Sequence, residues 1–324
     1  MLSGTSAAAP ILLGLAAAAT WGGADFAGGI AARRGRPGSV VLVAHSTSLV
    51  LLAVLIWLTH PAPLTGFNSV WGLLSGAAGG VALMLFYEAL AVGAMGLSAS
   101  LAGVLTAALP VAVAWVKQPR PGALKLAGFA VAGAAIGLIA WSPELPPESG
   151  QASGRPPVPT TSLRSLAFST VAGLGFGLQL VVLHLASAQG SVLRALALSR
   201  LGGTAAGAAA VLLGTLRVRR MLFPAVGESA SHDFPTSAAS GPGKRSALQA
   251  FVALAILTGL LDTIGNGLYM GSALVGRLDV AAVLASLYPG STILLAIWLL
   301  HERTTRLQTV GMALALAAVA LISA

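Results

Sequence analysis

The chain has 324 residues, of which 56% are apolar and 8% charged, and its 18 Lys and Arg against nine Asp and Glu leave a formal net charge of +9. Soluble domains carry about a quarter charged residues, so a mean hydropathy of +0.88 excludes a water-solvated globule and marks a polytopic membrane protein. The absence of cysteine excludes disulfides, thiolate metal sites and cysteine catalysis; the cations fall in short breaks such as Arg33-Arg34-Gly35-Arg36 and Arg217-Val218-Arg219-Arg220, where anionic lipid rather than nucleic acid is the expected partner.

A membrane helix needs about 20 apolar residues, and breaks in hydrophobicity place ten spans at 8–31, 38–59, 68–92, 97–117, 122–141, 164–186, 192–216, 247–274, 279–300 and 305–323. From Pro37 to Val116 the only formally charged side chain is Glu88. Residues 1–32 contain no Lys or Arg, which argues against a cleaved secretory signal and for a retained first helix. The segments 142–162 and 224–246 are rich in Pro, Ser and Gly and read as linkers. The expected organisation is a first five-helix repeat over 1–141, a linker over 142–162 and a second five-helix repeat over 163–324, with a mobile loop at 217–246. The halves echo each other: Tyr87 pairs with Tyr269 at an offset of 182, Pro110 with Pro289 at 179, and Gly128 with Gly311 at 183. Because five is odd, the second copy enters the bilayer from the opposite side, an inverted pair that puts a binding site near the midplane. Glycines four apart (Gly72, Gly76 and Gly80; Gly133 and Gly137; Gly203 and Gly207; Gly267 and Gly271) offer flat faces for close helix packing, or reflect composition alone.

Polar groups inside these spans are the candidate site, because leaving them against lipid costs several kcal/mol each, to order of magnitude. Asp25 lies midway through the first span, one turn from Trp21 and from Gly29. A low dielectric disfavours an ionised carboxylate, so Asp25 reads either as a proton-coupling group or as an interfacial partner of Arg33 and Arg34. Glu88 is a second proton-coupling candidate, or an interfacial residue; its side chain points about 100° away from that of Tyr87 on a helix. His45 and His184 lie in apolar spans, the latter with Gln179, and read as interhelical hydrogen-bond donors more readily than as proton relays. No second ligand stands at metal-binding spacing. Asp262, Asn266 and Tyr269 fall at i, i+4 and i+7 and share one helical face. They could bind a substrate's polar end, with Asp262 able to take an ammonium or a proton, or they could close a structural network. Pro110 and Pro289 interrupt their helices' hydrogen bonding, and Tyr288 beside Pro289 makes the ninth span a second candidate wall. His301-Glu302-Arg303 closes that span.

The stretches TWGGADFAGGIAARR (20–34), MLFYEALAVGAMGLSAS (84–100) and ASLYPGSTILLAIWLLHERTTRLQTVG (285–311) resemble the EamA branch of the drug/metabolite transporter superfamily. The resemblance rests on Trp21-Gly22, on Tyr87 ending the third span, on Pro289 within the ninth, and on Glu302 before a Thr-rich turn leading to Gly311. It implies an all-α membrane protein of ten helices in two inverted five-helix repeats around a central cavity. Trp21, Tyr87, Gln179, Asp262, Asn266, Tyr269 and Tyr288 would face the substrate, and Pro110, Pro289 and Glu302 would act as gate or scaffold. The first repeat departs from the pattern, since Lys117-Gln118-Pro119 offers no carboxylate to mirror Glu302.

The expected function is secondary transport of a small organic metabolite such as an amino acid, exporting rather than importing, by alternating access in the cell membrane (the inner membrane in a Gram-negative source), with a proton as one coupling ion. No cofactor, metal or nucleic acid is expected, and the sequence assigns no oligomeric state. The alternatives are a non-transporting membrane scaffold and a membrane-embedded enzyme. An enzyme would want a nucleophile with a base, and none stands at usable spacing; ATP-driven transport would want a GxxxxGK[ST] loop, which the sequence lacks. Loops after odd-numbered spans hold twelve Lys and Arg and those after even-numbered spans five, with Arg200 assigned to neither. That count puts the odd loops in the cytoplasm and both termini outside, whereas the resemblance implies both termini inside. A C-terminal fusion reporter active only outside the cytoplasm separates the two: activity follows from the charge count, silence from the resemblance.

Overall fold

The structure, a computed structural model, describes residues 8–92, 95–117, 121–140, 163–188, 190–215, 242–300 and 306–323. Every regular element among them is a helix: α1 (Ala8–Ala32), α2 (Pro37–Thr59), α3 (Gly66–Val92), α4 (Met95–Lys117), α5 (Ala123–Ala140), α6 (Leu163–Ser187), α7 (Val192–Thr215), α8 (Pro242–Val275), α9 (Leu278–Ala285), α10 (Tyr288–Leu300) and α11 (Arg306–Ser323). Six of these, α1, α2, α3, α6, α7 and α8, contain stretches long and apolar enough to cross a membrane. In lipid only such internally hydrogen-bonded segments satisfy their own backbone. Outward-facing side chains include Trp57 at 71% exposure, Trp298 at 76% and Val116 at 87%. An apolar surface this extensive fits acyl chains, not water.

Two helices depart from the sequence-based elements. The predicted ninth span is divided into α9 and α10, with Ser286 capping α9 and Pro289 at the second position of α10. Proline lacks the amide that would continue the ladder and is well accommodated in a first helical turn, so the chain restarts there instead of kinking. Pro110, by contrast, stays within unbroken α4. α8 begins at Pro242 and so takes in residues 242–246 of the predicted loop. The rest of that loop, the linker at 142–162 and Glu302 lie outside the described residues.

Helix packing is directed by small residues and short hydroxyls. A Cβ on Gly76 would run into the Ser199 carbonyl, and Gly80 faces Gly203, so α3 and α7 approach backbone to backbone. On α8, Gly259 lies against Ala44 of α2, and Ser48 donates to the Gly259 carbonyl at 2.8 Å. Ser75 donates to the Gln179 carbonyl at 3.1 Å, and Ser98 and Ser165 share a hydrogen bond of 2.7 Å. Such polar contacts and close approaches hold helices together where lipid removes the hydrophobic drive between them. Gly133 and Gly137 have no atom within 4 Å of an added Cβ among the described residues.

The contacts also define direction. α1 runs antiparallel to α8, with Pro10 near Gly276, Trp21 at Gly265 and Ala24 at Thr258. α3 and α6 are likewise antiparallel, with Ser75 at Gln179 and Ala89 at Ser165. α2 and α7 run antiparallel, pairing Pro61 with Arg194, His45 with Gly203 and Gly38 with Ala210. α5 and α11 pack on each other.

Gly76→Ala should lower the thermal midpoint in detergent, equivalent to about 1–3 kcal/mol of overpacking. Gly267→Ala, whose nearest neighbour would be Leu196 at 3.9 Å, should raise it through helix propensity worth about 1 kcal/mol. Intrinsic tryptophan fluorescence during heating measures both.

Candidate functional site

At the centre of the bundle lies a cavity of about 50 Å³, lined from α1, α2, α3, α4, α6, α7, α8 and α10. It has room for about three to five water molecules and its wall is part apolar, part charged. Seven of the residues singled out in the sequence meet there: Trp21, Asp25, His45, Gln179, Asp262, Asn266 and Tyr288.

The residue that organises the wall is Arg200. The loop charges leave Arg200 assigned to neither side, but it sits within α7 and is only 1% exposed. Its Nη1 lies 2.7 Å from Asp262 Oδ2 and 3.1 Å from His45 Nε2. A guanidinium only donates, so His45 accepts through Nε2 and carries its proton on Nδ1; this histidine is an acceptor, not the interhelical donor expected of it. Asn266 in turn donates through Nδ2 to Asp262 Oδ1 at 2.9 Å. The result is a chain of partners from α2 through α7 to α8. One signal could have found it: Arg200 is a cation well inside the apolar run from Val192 to Thr215, and cations at such depth are functional or paired by default.

Local sequence explains why the guanidinium fits. Gly202 and Gly203 follow Arg200, and a Cβ on Gly203 would collide with the His45 ring. Gly76 admits the backbone just before it, at Ser199. The three helices therefore close tightly enough to bury the arginine while its head reaches α8. The pair does not use all of it. Nε and Nη2 of Arg200 and Oδ1 of Asn266 are buried with no hydrogen-bond partner among the described residues. Groups of this kind are normally met by solvent or ligand.

Asp25 stands on the same cavity and differs from Asp262 in having no hydrogen bond or ion pair among the described residues. Its electrostatic neighbour is the Asp262 carboxylate, and no pairing with Arg33 or Arg34 is found. Trp21, one turn away, packs on Tyr269 with ring centroids 5.7 Å apart and on Tyr288 edge-on at 6.5 Å. Gln179 is 7% exposed and its amide covers Gly79.

The other predicted residues lie elsewhere. Tyr269 shares the helical face of Asp262, but seven residues of α8 separate them by about 10.5 Å, and Trp21 covers its ring. It is fully buried and does not line the cavity. Tyr87 is buried with its hydroxyl against Gly28. Glu88 is half-buried and, like Pro110 and Pro289, stands outside the cavity wall. Thr106, one turn before Pro110, does line it, although its hydroxyl is bonded to the Ala102 carbonyl at 2.7 Å. No group of three or more His, Cys, Asp or Glu suited to a metal occurs among the described residues.

Residues 234–324 match the model of the EamA-like transporter family, in agreement with the resemblance carried by the sequence. No curated protein matches the chain. Among the solved structures that this chain is similar to is a crystal structure with a TM-score of 0.62 over 97% of this chain and 96% of the other, at 15% identity.

The paired charges make a testable unit. Arg200→Met should destabilise the protein by about 3–5 kcal/mol, because it strands the Asp262 carboxylate. The double variant Arg200→Met with Asp262→Leu should recover most of that loss, read from thermal unfolding of the purified protein in detergent.

Proposed function

We propose that this EamA-like chain is a secondary transporter that moves a small organic metabolite by alternating access through the central cavity, as an exporter in the cell membrane. The observation that carries the reading is the cavity itself: side chains from eight helices converge on a buried ion pair that leaves polar atoms unmet among the described residues. A scaffold gains nothing from burying Arg200, Asp25 and Asp262 around an open space, since apolar residues of similar volume pack as stably or better.

In this reading the bundle has ten spans, with α9 and α10 together forming the ninth, arranged as two inverted sets of five. Several contacts support it. Exchanging each span for the one five further along carries the α1–α8 pairing into the α6–α3 pairing. The second and seventh spans run antiparallel. His45 and Arg200, which meet across them, occupy equivalent positions, each eight residues beyond its helix start at Pro37 or Val192. A central axis of pseudo-symmetry there would let the two halves rock about one fixed site.

Asp262, Asn266, Trp21, Tyr288 and Gln179 contact the substrate, and Arg200 joins them. Tyr87 and Tyr269 support the wall from behind. The joint between α9 and α10, close to Pro289, is the element that flexes, with Pro110 and Glu302 as further gate or scaffold positions. Of the proton-coupling candidates Asp25, Glu88 and Asp262, the first alone is both on the cavity and unpaired.

Purified protein in liposomes should accelerate exchange of a radiolabelled metabolite, screened as amino acids, nucleosides, sugars and amines. Asp262→Asn should slow that exchange at least tenfold when flux is normalised to the folded protein recovered in the liposomes, since the variant also strands Arg200. Unchanged exchange in Asp262→Asn combined with Asn266→Ala would remove this site.

A further inference from the structure

The charges that face the cavity do not cancel. α1 contributes Asp25 and α8 contributes Asp262, while α7 contributes Arg200. His45 of α2, with its Nε2 lone pair engaged by Arg200, adds no charge. Among the described residues, the remaining titratable groups packed around the site are the phenols of Tyr87 on α3, Tyr269 on α8 and Tyr288 on α10, which are neutral at physiological pH. With Arg200 and Asp262 in contact at 2.7 Å, one carboxylate is left over. A net charge enclosed at membrane depth is costly, and a neutral total is strongly favoured.

We infer that the cavity takes a monocationic ligand, a protonated amine bearing a neutral hydrogen-bond acceptor, in exchange for a proton held on Asp25. The inference rests on the transport reading above and assigns that site its substrate class. The empty site is neutral with the proton on the Asp25 carboxyl. As the ammonium enters, the proton leaves to solvent and the carboxylate pairs with the ammonium, so the enclosed total stays at zero. Arg200 needs no second anion, because Asp262 already meets its charge. What Nε and Nη2 lack is an acceptor atom, which a hydroxyl or an amide carbonyl supplies. A zwitterion carries no net charge, so the total stays at zero only while Asp25 keeps its proton, and the ligand's ammonium then finds no free carboxylate. The rings of Trp21, Phe176 and Tyr288 on the same wall suit an organic cation through their π-faces.

The sign of the pH dependence follows. Proton and ligand compete for one carboxylate, so the apparent affinity of the amine falls as pH is lowered, about tenfold per unit once Asp25 is mostly protonated.

The test uses the full-length protein in detergent and three matched probes: phenylalaninol as the monocation, phenylalanine as the zwitterion and 3-phenylpropane-1,2-diol as the neutral isostere. Titration calorimetry at pH 6, in two buffers of different ionisation enthalpy, counts protons released on binding. Phenylalaninol should bind at least tenfold tighter than either analogue and release about one proton per ligand. Asp25→Asn should abolish that release, and Asp25→Glu should restore it. Equal or tighter binding of phenylalanine would overturn the inference by assigning a carboxylate to the free edge of Arg200, as would tight binding of phenylalaninol without proton release. Binding alone decides the matter. Absence of flux in liposomes, with proton-releasing binding intact, would remove the transport reading and leave the exchange at Asp25 standing.

Discussion

A charge enclosed in lipid must be paired, and in this protein the pairing of Arg200 with Asp262 dictates how the centre of the bundle is built. An arginine that is 1% exposed can exist at that depth only if its carboxylate partner, 2.7 Å away, is held in place by its own neighbours. Asn266 does this from one turn along α8, while His45 takes a second direction of the same guanidinium nitrogen. Loss of either charge would leave the other uncompensated, which is far more costly than replacing both.

The glycines around this pair serve it directly. Gly76 and Gly203 give α3, α7 and α2 the close approach that buries Arg200, and Gly259 brings α2 against α8. Packing of this kind is rigid because backbone meets backbone. The cavity, in contrast, is walled by side chains from helices that touch across few polar groups. Its charged groups come from α1, α7 and α8, while α3 and α6 supply Gly79 and Gln179. A scaffold with matched helix pairings thus carries an uneven set of charges, and that unevenness gives the site its polarity.

The division of the predicted ninth span into α9 and α10 bears on motion. α9 is fully buried along Leu278–Ala285, and Asp279 at its start is tied to Arg277 at 2.8 Å. α10 begins anew at Tyr288, whose ring lies on the cavity and against Trp21. Thr292, one turn on, donates to the Gly22 carbonyl at 3.2 Å. The segment that touches the cavity is therefore joined to its anchored half through two non-helical residues, and a joint can change its dihedrals with little disturbance to either helix.

Composition and periodicity determined a good deal without help from the tertiary structure. The membrane class follows from an 8% charge content, and the placement of Asp262 and Asn266 on one face follows from the 3.6-residue turn, because both depend on local chain geometry alone. Only the folded bundle decided which neighbour each face meets. Helical period put Tyr269 on the same stripe, yet it does not reveal that Trp21 from α1 covers it. Nor could sequence spacing show that Arg200, 62 positions from Asp262, closes on it while Asp25 stays unpaired. Those outcomes depend on close contacts between distant helices, set by which glycines face which backbones, and a single chain read in one dimension does not contain that pairing.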